Sequence, residues 1–125
     1  MILWMIALGG ALGSVARYLT VTAAARVFGP AFPYGTMVVN VVGSALMGLA
    51  IVILVERFGG DGARWAPGVT VGFLGGFTTF SAFSLDAYLM LEAGRLGAVL
   101  TYVAGSFALS LLGLAIGIAV ARALF

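Results

Sequence analysis

The residues whose types and spacing could do chemistry lie in one run, Gly72-Phe73-Leu74-Gly75-Gly76-Phe77-Thr78-Thr79-Phe80-Ser81-Ala82-Phe83-Ser84, midway along an uncharged segment between Arg64 and Asp86. Two adjacent glycines followed by two β-branched threonines weaken a helix. Non-helical backbone at membrane depth persists only where protein or a water-filled cavity covers it. The run therefore predicts a transmembrane helix broken near its middle, with carbonyls, N–H groups and half-helix ends aimed at a buried point, as channels and transporters build ion sites from backbone. A plainer alternative makes Gly72 and Gly76 a small-xxx-small contact and the phenylalanines packing. That alternative leaves Thr78, Thr79, Ser81 and Ser84 unexplained; they interleave with Phe77, Phe80 and Phe83, which recur every third residue as one slowly drifting stripe.

Such a run needs membrane helices to hold it, and the composition supplies them. The chain has 125 residues, 63% of them hydrophobic and 8% charged, with a mean hydropathy of +1.22. Soluble domains carry charge on roughly a quarter of their residues. A spanning helix uses about 20 apolar residues, so four with short turns fill residues 1–125 as a single transmembrane domain. The absence of Cys and His removes thiolate and imidazole ligands, disulfides and the usual proton shuttle, which argues against an enzyme. A pI near 9.5 comes from scattered arginines with no basic cluster to track phosphates, so nucleic acid is not an expected partner.

The first segment, about Ile2 to Ala25, lacks a positive n-region; despite Ala23-Ala24-Ala25 it reads as a membrane helix rather than a signal peptide. Gly9 and Gly13 share a face that lets another helix approach. Arg17 either snorkels to the interface or serves a pore vestibule that gathers anions. Gly29, Pro30 and Pro33 predict a turn. The second helix is expected from about Tyr34 to Val55, with Thr36, Asn40, Gly43 and Ser44 on one side. Asn40 is either interhelical glue worth about 1 kcal/mol or a pair of N–H donors for a dehydrating anion. Glu56 to Arg64 reads as a polar surface loop, and Trp65 and Pro67 mark the start of the third segment. Asp86, near its far end, reads as an interfacial or Arg-paired carboxylate without a pore role. The last helix, about Leu96 to Ala121, spaces Tyr102, Ser106 and Ser110 by four, a ladder of hydroxyls on one face. Each serine could instead back-bond to its own helix.

Three motifs in order, Gly9-Gly10 to Arg17-Tyr18, Gly35-Thr36 to Asn40, and Gly-Gly-Phe-Thr-Thr-Phe-Ser-Ala-Phe-Ser from Gly75 to Ser84, resemble the CrcB/Fluc family of fluoride channels over essentially the whole chain. Apart from that resemblance, Arg57, Arg64 and Arg122 on one side balance Arg17, Arg26 and Arg95 on the other, which leaves orientation nearly indifferent and allows a dual-topology antiparallel homodimer in the bilayer. Asn40, the Ser and Thr hydroxyls and the positive edges of Phe80 and Phe83 are the donors the sequence offers an anion. The resemblance implies that the anion is fluoride, exported passively, and that each dimer has two pores with Asn40, Phe80, Phe83 and hydroxyls of the last helix. It also implies a structural sodium at the dimer centre on the backbone carbonyls of Gly75 and Thr78. The expected pathway is thus Asn40, Thr79, Phe80, Ser81, Phe83, Tyr102, Ser106, Ser110 and Arg17, in a multi-pass protein of the cell (inner or plasma) membrane. A small multidrug-type proton-coupled efflux transporter is the alternative; it needs a membrane-embedded carboxylate, for which Asp86 is the only candidate. A structural or assembly partner would pass no ion.

Overall fold

Four apolar stretches order the chain in the computed structural model, which describes residues 1–125. They are Ile2–Phe28, Tyr34–Arg57, Gly59–Glu92 and Leu96–Leu124. The shortest has 24 residues, about 36 Å of helix, against a hydrocarbon core of about 30 Å. The protein is all-helical, with four helices long and apolar enough to cross a membrane.

Helix α1 (Ile2–Phe28) runs without a proline and stops at Gly29, whose φ of 83° lies in the left-handed region that glycine enters without a Cβ penalty. Pro30 and Pro33 then prevent the helix from resuming before α2 (Tyr34–Ala50). Helix α2 widens into a π-helical segment, Ile51–Arg57. The third stretch comprises α3 (Gly59–Pro67), a second π-helical segment (Gly68–Leu74), α4 (Gly75–Phe77) and α5 (Phe80–Glu92). Pro67 has no N–H to give the α ladder, and the wider π turns follow directly after it. Helix α6 (Leu96–Leu124) closes the bundle.

The polar stretch from Glu56 to Arg64 is not the loop that its composition suggests. Only a bend at Phe58 separates the second span from α3, which already contains Asp61, Arg64 and Trp65. Gly62 packs on the carbonyl of Leu54 and on Phe58, so the new helix folds back against the end of the preceding one. Asp61 sits in its first turn, where a negative charge complements the helix dipole.

Glycines set two close backbone approaches. Gly13 of α1 lies against the carbonyl of Phe73, and a Cβ on Gly76 would stand 2.7 Å from the Gly10 oxygen, so α1 meets the third stretch backbone to backbone. Gly117 of α6 meets the Ala45 carbonyl of α2 in the same way. Small residues of this kind drive association where lipid removes the hydrophobic incentive. At one end of the bundle Arg122 forks onto Glu56 at 2.7 and 3.2 Å while Arg57 reaches the Arg122 carbonyl. At the other end Arg95 donates to the Ala31 carbonyl. Leu8, Leu12, Leu19, Leu100 and Leu112 point outward, an apolar exterior suited to lipid.

Candidate functional site

Between α4 and α5 the backbone leaves helical geometry for two residues. Thr78 (φ −84°, ψ 158°) and Thr79 (φ −152°, ψ 119°) are both extended. In a continuous helix the Thr79 N–H would bond the Gly75 carbonyl. Here it donates to Asn40 Oδ1 at 2.7 Å, and Asn40 Nδ2 returns a bond to the Thr79 carbonyl at 3.1 Å. Asn40 thus supplies both partners that Thr79 lacks and keeps a second amide proton. The Thr79 hydroxyl accepts the Ala82 N–H at 3.1 Å and so caps α5. With those N–H groups redirected, the carbonyls of Gly75 and Thr78 lose the donors a continuous helix would give them.

Beside this segment lies a cavity of about 420 Å³ between α2, α5 and α6. Of the residues singled out from sequence, Asn40, Thr79, Phe80, Phe83, Ser106 and Ser110 line it together. The two rings differ in setting. Phe80 is 71% exposed and Phe83 only 7%, with their centroids 5.7 Å apart and planes tilted by 53°. Phe83 is also edge-on to Phe107 at 6.0 Å.

The hydroxyls divide sharply. Thr78 and Ser84 bond the carbonyls of Leu74 and Phe80 four residues back, at 2.8 and 2.9 Å, and Thr101 does the same to Gly97. Ser106 does not: 4% exposed, its Oγ is buried with no hydrogen-bond partner. An unpaired buried hydroxyl is costly, and on a cavity wall it is a donor open to water or an ion.

Three expected pathway residues do not line the cavity. Ser81 is exposed, its Oγ 3.4 Å from Thr79 Oγ1. Tyr102 is fully buried and donates its hydroxyl to Asp86 Oδ2 at 3.0 Å. It lies eight residues from Ser110, about 12 Å along α6, so the ladder of hydroxyls runs past the end of the cavity. Asp86 is accordingly paired with a tyrosine rather than an arginine. Arg17 is not among the residues lining the cavity; its Nε donates to the Gly76 carbonyl at 3.0 Å.

The cavity wall also includes Phe107, Met47, Leu111 and Leu114, which were not singled out from sequence. A helical signal was available: Gly43, Ser44 and Met47 follow Asn40 at three, four and seven residues, and Ser110, Leu111 and Leu114 follow Phe107 likewise. The chain presents no cluster of three His, Cys, Asp or Glu side chains for a metal. The backbone oxygens of Gly75 and Thr78, released from their helical donors, are the hard-ligand chemistry it does offer.

Residues 4–118 match the family model described as CrcB-like protein, Camphor Resistance (CrcB). The chain is 56% identical over 120 residues to the fluoride-specific ion channel FluC of Cereibacter sphaeroides, covering 96% of this chain and 94% of that one. It is 48% identical over 123 residues to the protein of the same name from Caulobacter vibrioides, covering 98% and 97%. A third relative of that name, from Paracoccus denitrificans, is 48% identical over 120 residues, covering 96% and 94%.

Proposed function

The chain belongs to the CrcB-like protein, Camphor Resistance (CrcB), family, and from that premise we propose that it is a fluoride-selective channel through which the ion leaves the cell passively. The observation that carries the reading is the Ser106 hydroxyl, buried without a partner on the same cavity wall as Asn40 and the Phe80 and Phe83 rings. A small, strongly hydrated anion needs donors that replace water. The free Asn40 proton, the Ser106 and Ser110 hydroxyls and phenyl edges supply them without a fixed cation that would trap the ion. The relatives bearing the name fluoride-specific ion channel support the choice of ion.

In this reading the working unit is an antiparallel homodimer of dual topology in the cell membrane. Phe80, mostly exposed on a cavity wall, is the residue whose surroundings a second copy would complete. The two-residue interruption at Thr78–Thr79 makes the third span a broken helix, and the Gly75 and Thr78 carbonyls of both copies hold a structural sodium, which neutralises the oxygens gathered there. Purification with N-methylglucamine in place of sodium should lower dimer yield on gel filtration; an unchanged dimer would remove sodium from the scheme.

Fluoride efflux from liposomes carrying the purified protein, followed with a fluoride electrode, tests the main reading. Uncoupled efflux that needs no proton gradient is expected. No flux, or flux that requires proton exchange, would overturn it.

A further inference from the structure

We propose that Tyr102 is a positioning residue: by donating its hydroxyl to Asp86 it locks α5 onto α6 and fixes the Phe83 ring at the cavity wall. The inference rests on the channel reading for its consequence in flux. Its geometry stands independently.

A phenol has one proton to give. That of Tyr102 goes to Asp86 Oδ2, in the only side-chain hydrogen bond between α5 and α6. The hydroxyl therefore has no proton left for an anion, and the residue, fully buried, stands outside the cavity lining. Its ring is held on two sides, edge-on to Phe32 at 5.5 Å and 5.0 Å from Phe83 at a tilt of 45°. Asp86 follows Phe83 by three residues, so the group that receives the hydroxyl and the ring that touches Tyr102 share a face of α5. One side chain of α6 thus grips two neighbouring positions of α5.

The grip matters because α5 begins directly at the extended Thr78–Thr79 segment, where no continuous helical ladder fixes its rotation about its own axis. Rotation of α5 would carry Phe83 off its contacts with Tyr102 and Phe107. Asp86 is half-buried in a membrane helix and needs a polar partner there, so the latch also satisfies the carboxyl group.

The test places 4-trifluoromethylphenylalanine at position 83 and reads fluorine NMR in detergent alongside fluoride efflux from liposomes. The parent should give one narrow resonance. Tyr102→Phe keeps the ring but removes the proton, and should broaden or split that resonance and slow efflux about tenfold. Asp86→Leu should do the same, whereas Asp86→Asn, which keeps an acceptor oxygen, should restore the parent spectrum. The double variant Tyr102→Phe/Asp86→Leu should be no slower than either single one, since both remove the same bond.

An unchanged resonance in Tyr102→Phe would overturn the proposal. So would a double variant slowed by the product of the single effects, since the hydroxyl would then act on the ion directly. If Tyr102→Phe does not assemble, the contrast between Asp86→Asn and Asp86→Leu decides by the same spectra. A parent that passes no fluoride would refute the channel reading alone, because the label reports the ring whether or not the protein conducts.

Discussion

Arg17 Nε donates to the carbonyl of Gly76 across 3.0 Å, joining α1 to the short helical turn that precedes the extended Thr78–Thr79 segment. In a continuous helix that carbonyl would receive the Phe80 N–H, but Phe80 instead opens α5. A guanidinium takes its place, and a cation is favoured at a helix C-terminus by the dipole. Asn40 does the corresponding work at Thr79 from α2. Side chains from two neighbouring helices therefore replace the partners that the interruption removes.

Arg17→Met keeps the apolar stem and loses the donor, so it should lower stability by about 2 kcal/mol, the range for a hydrogen bond to a charged group. Thermal unfolding in detergent measures it. A melting temperature equal to that of the parent would mean that water, not Arg17, serves the Gly76 carbonyl.

Asn40→Asp tests the second clamp. The carboxylate still accepts the Thr79 N–H but can no longer donate to the Thr79 carbonyl, and it adds a negative charge to the wall of the proposed anion path. Efflux should fall by at least about tenfold. Stability should fall as well, and a conducting Asn40→Asp channel would remove Asn40 from the ion path.

The spans were legible because a bilayer demands long apolar stretches, and the chain has four. The cavity residues were legible in part: Asn40, Phe80 and Ser110 are polar or aromatic at helical spacing, and the structure gathers them. Tyr102 was not, because spacing by four places it on the right face without saying how far the cavity extends. The partner of Arg17 was hidden for a different reason: a lone membrane arginine suggests water, and its partner is a carbonyl 59 residues away that no local pattern marks. The helix at Gly59–Pro67 was hidden by glycine and charge, and it forms because Gly62 can pack on Leu54 and Phe58.

The proposed dual topology can be read with a single cysteine in place of Gly60, since the chain has none of its own. Gly60 is exposed near the start of α3, and a Cβ there meets open space. Membrane-impermeant thiol reagent should reach about half of the population from either side of the membrane. Labelling from one side alone would exclude the antiparallel dimer.

Phe80→Ile and Phe83→Ile should part company in stability and agree in flux. Phe83 is buried among Tyr102 and Phe107, so losing its aromatic contacts should cost about 1 kcal/mol. Phe80 is largely exposed, and its replacement should leave unfolding nearly unchanged. Both lose the positive ring edge, and both should pass fluoride much more slowly. Two variants that form dimers and conduct like the parent would reduce the stripe to packing.

Ser106→Ala separates function from structure most cleanly. A hydroxyl that bonds within the protein costs stability when removed, as Thr78 bonded to Leu74 would. The Ser106 hydroxyl has no such bond, so its loss should raise stability or leave it within about 0.5 kcal/mol of the parent. If the hydroxyl serves the passing ion, efflux should nevertheless drop, because the cavity wall has lost a donor. Thr101→Ala is the control, since that hydroxyl donates to the Gly97 carbonyl and does not line the cavity, and it should conduct normally. Efflux from liposomes and thermal unfolding in detergent, measured on the same preparations, give both readouts. A Ser106→Ala protein that conducts like the parent would leave the buried hydroxyl without a role in permeation.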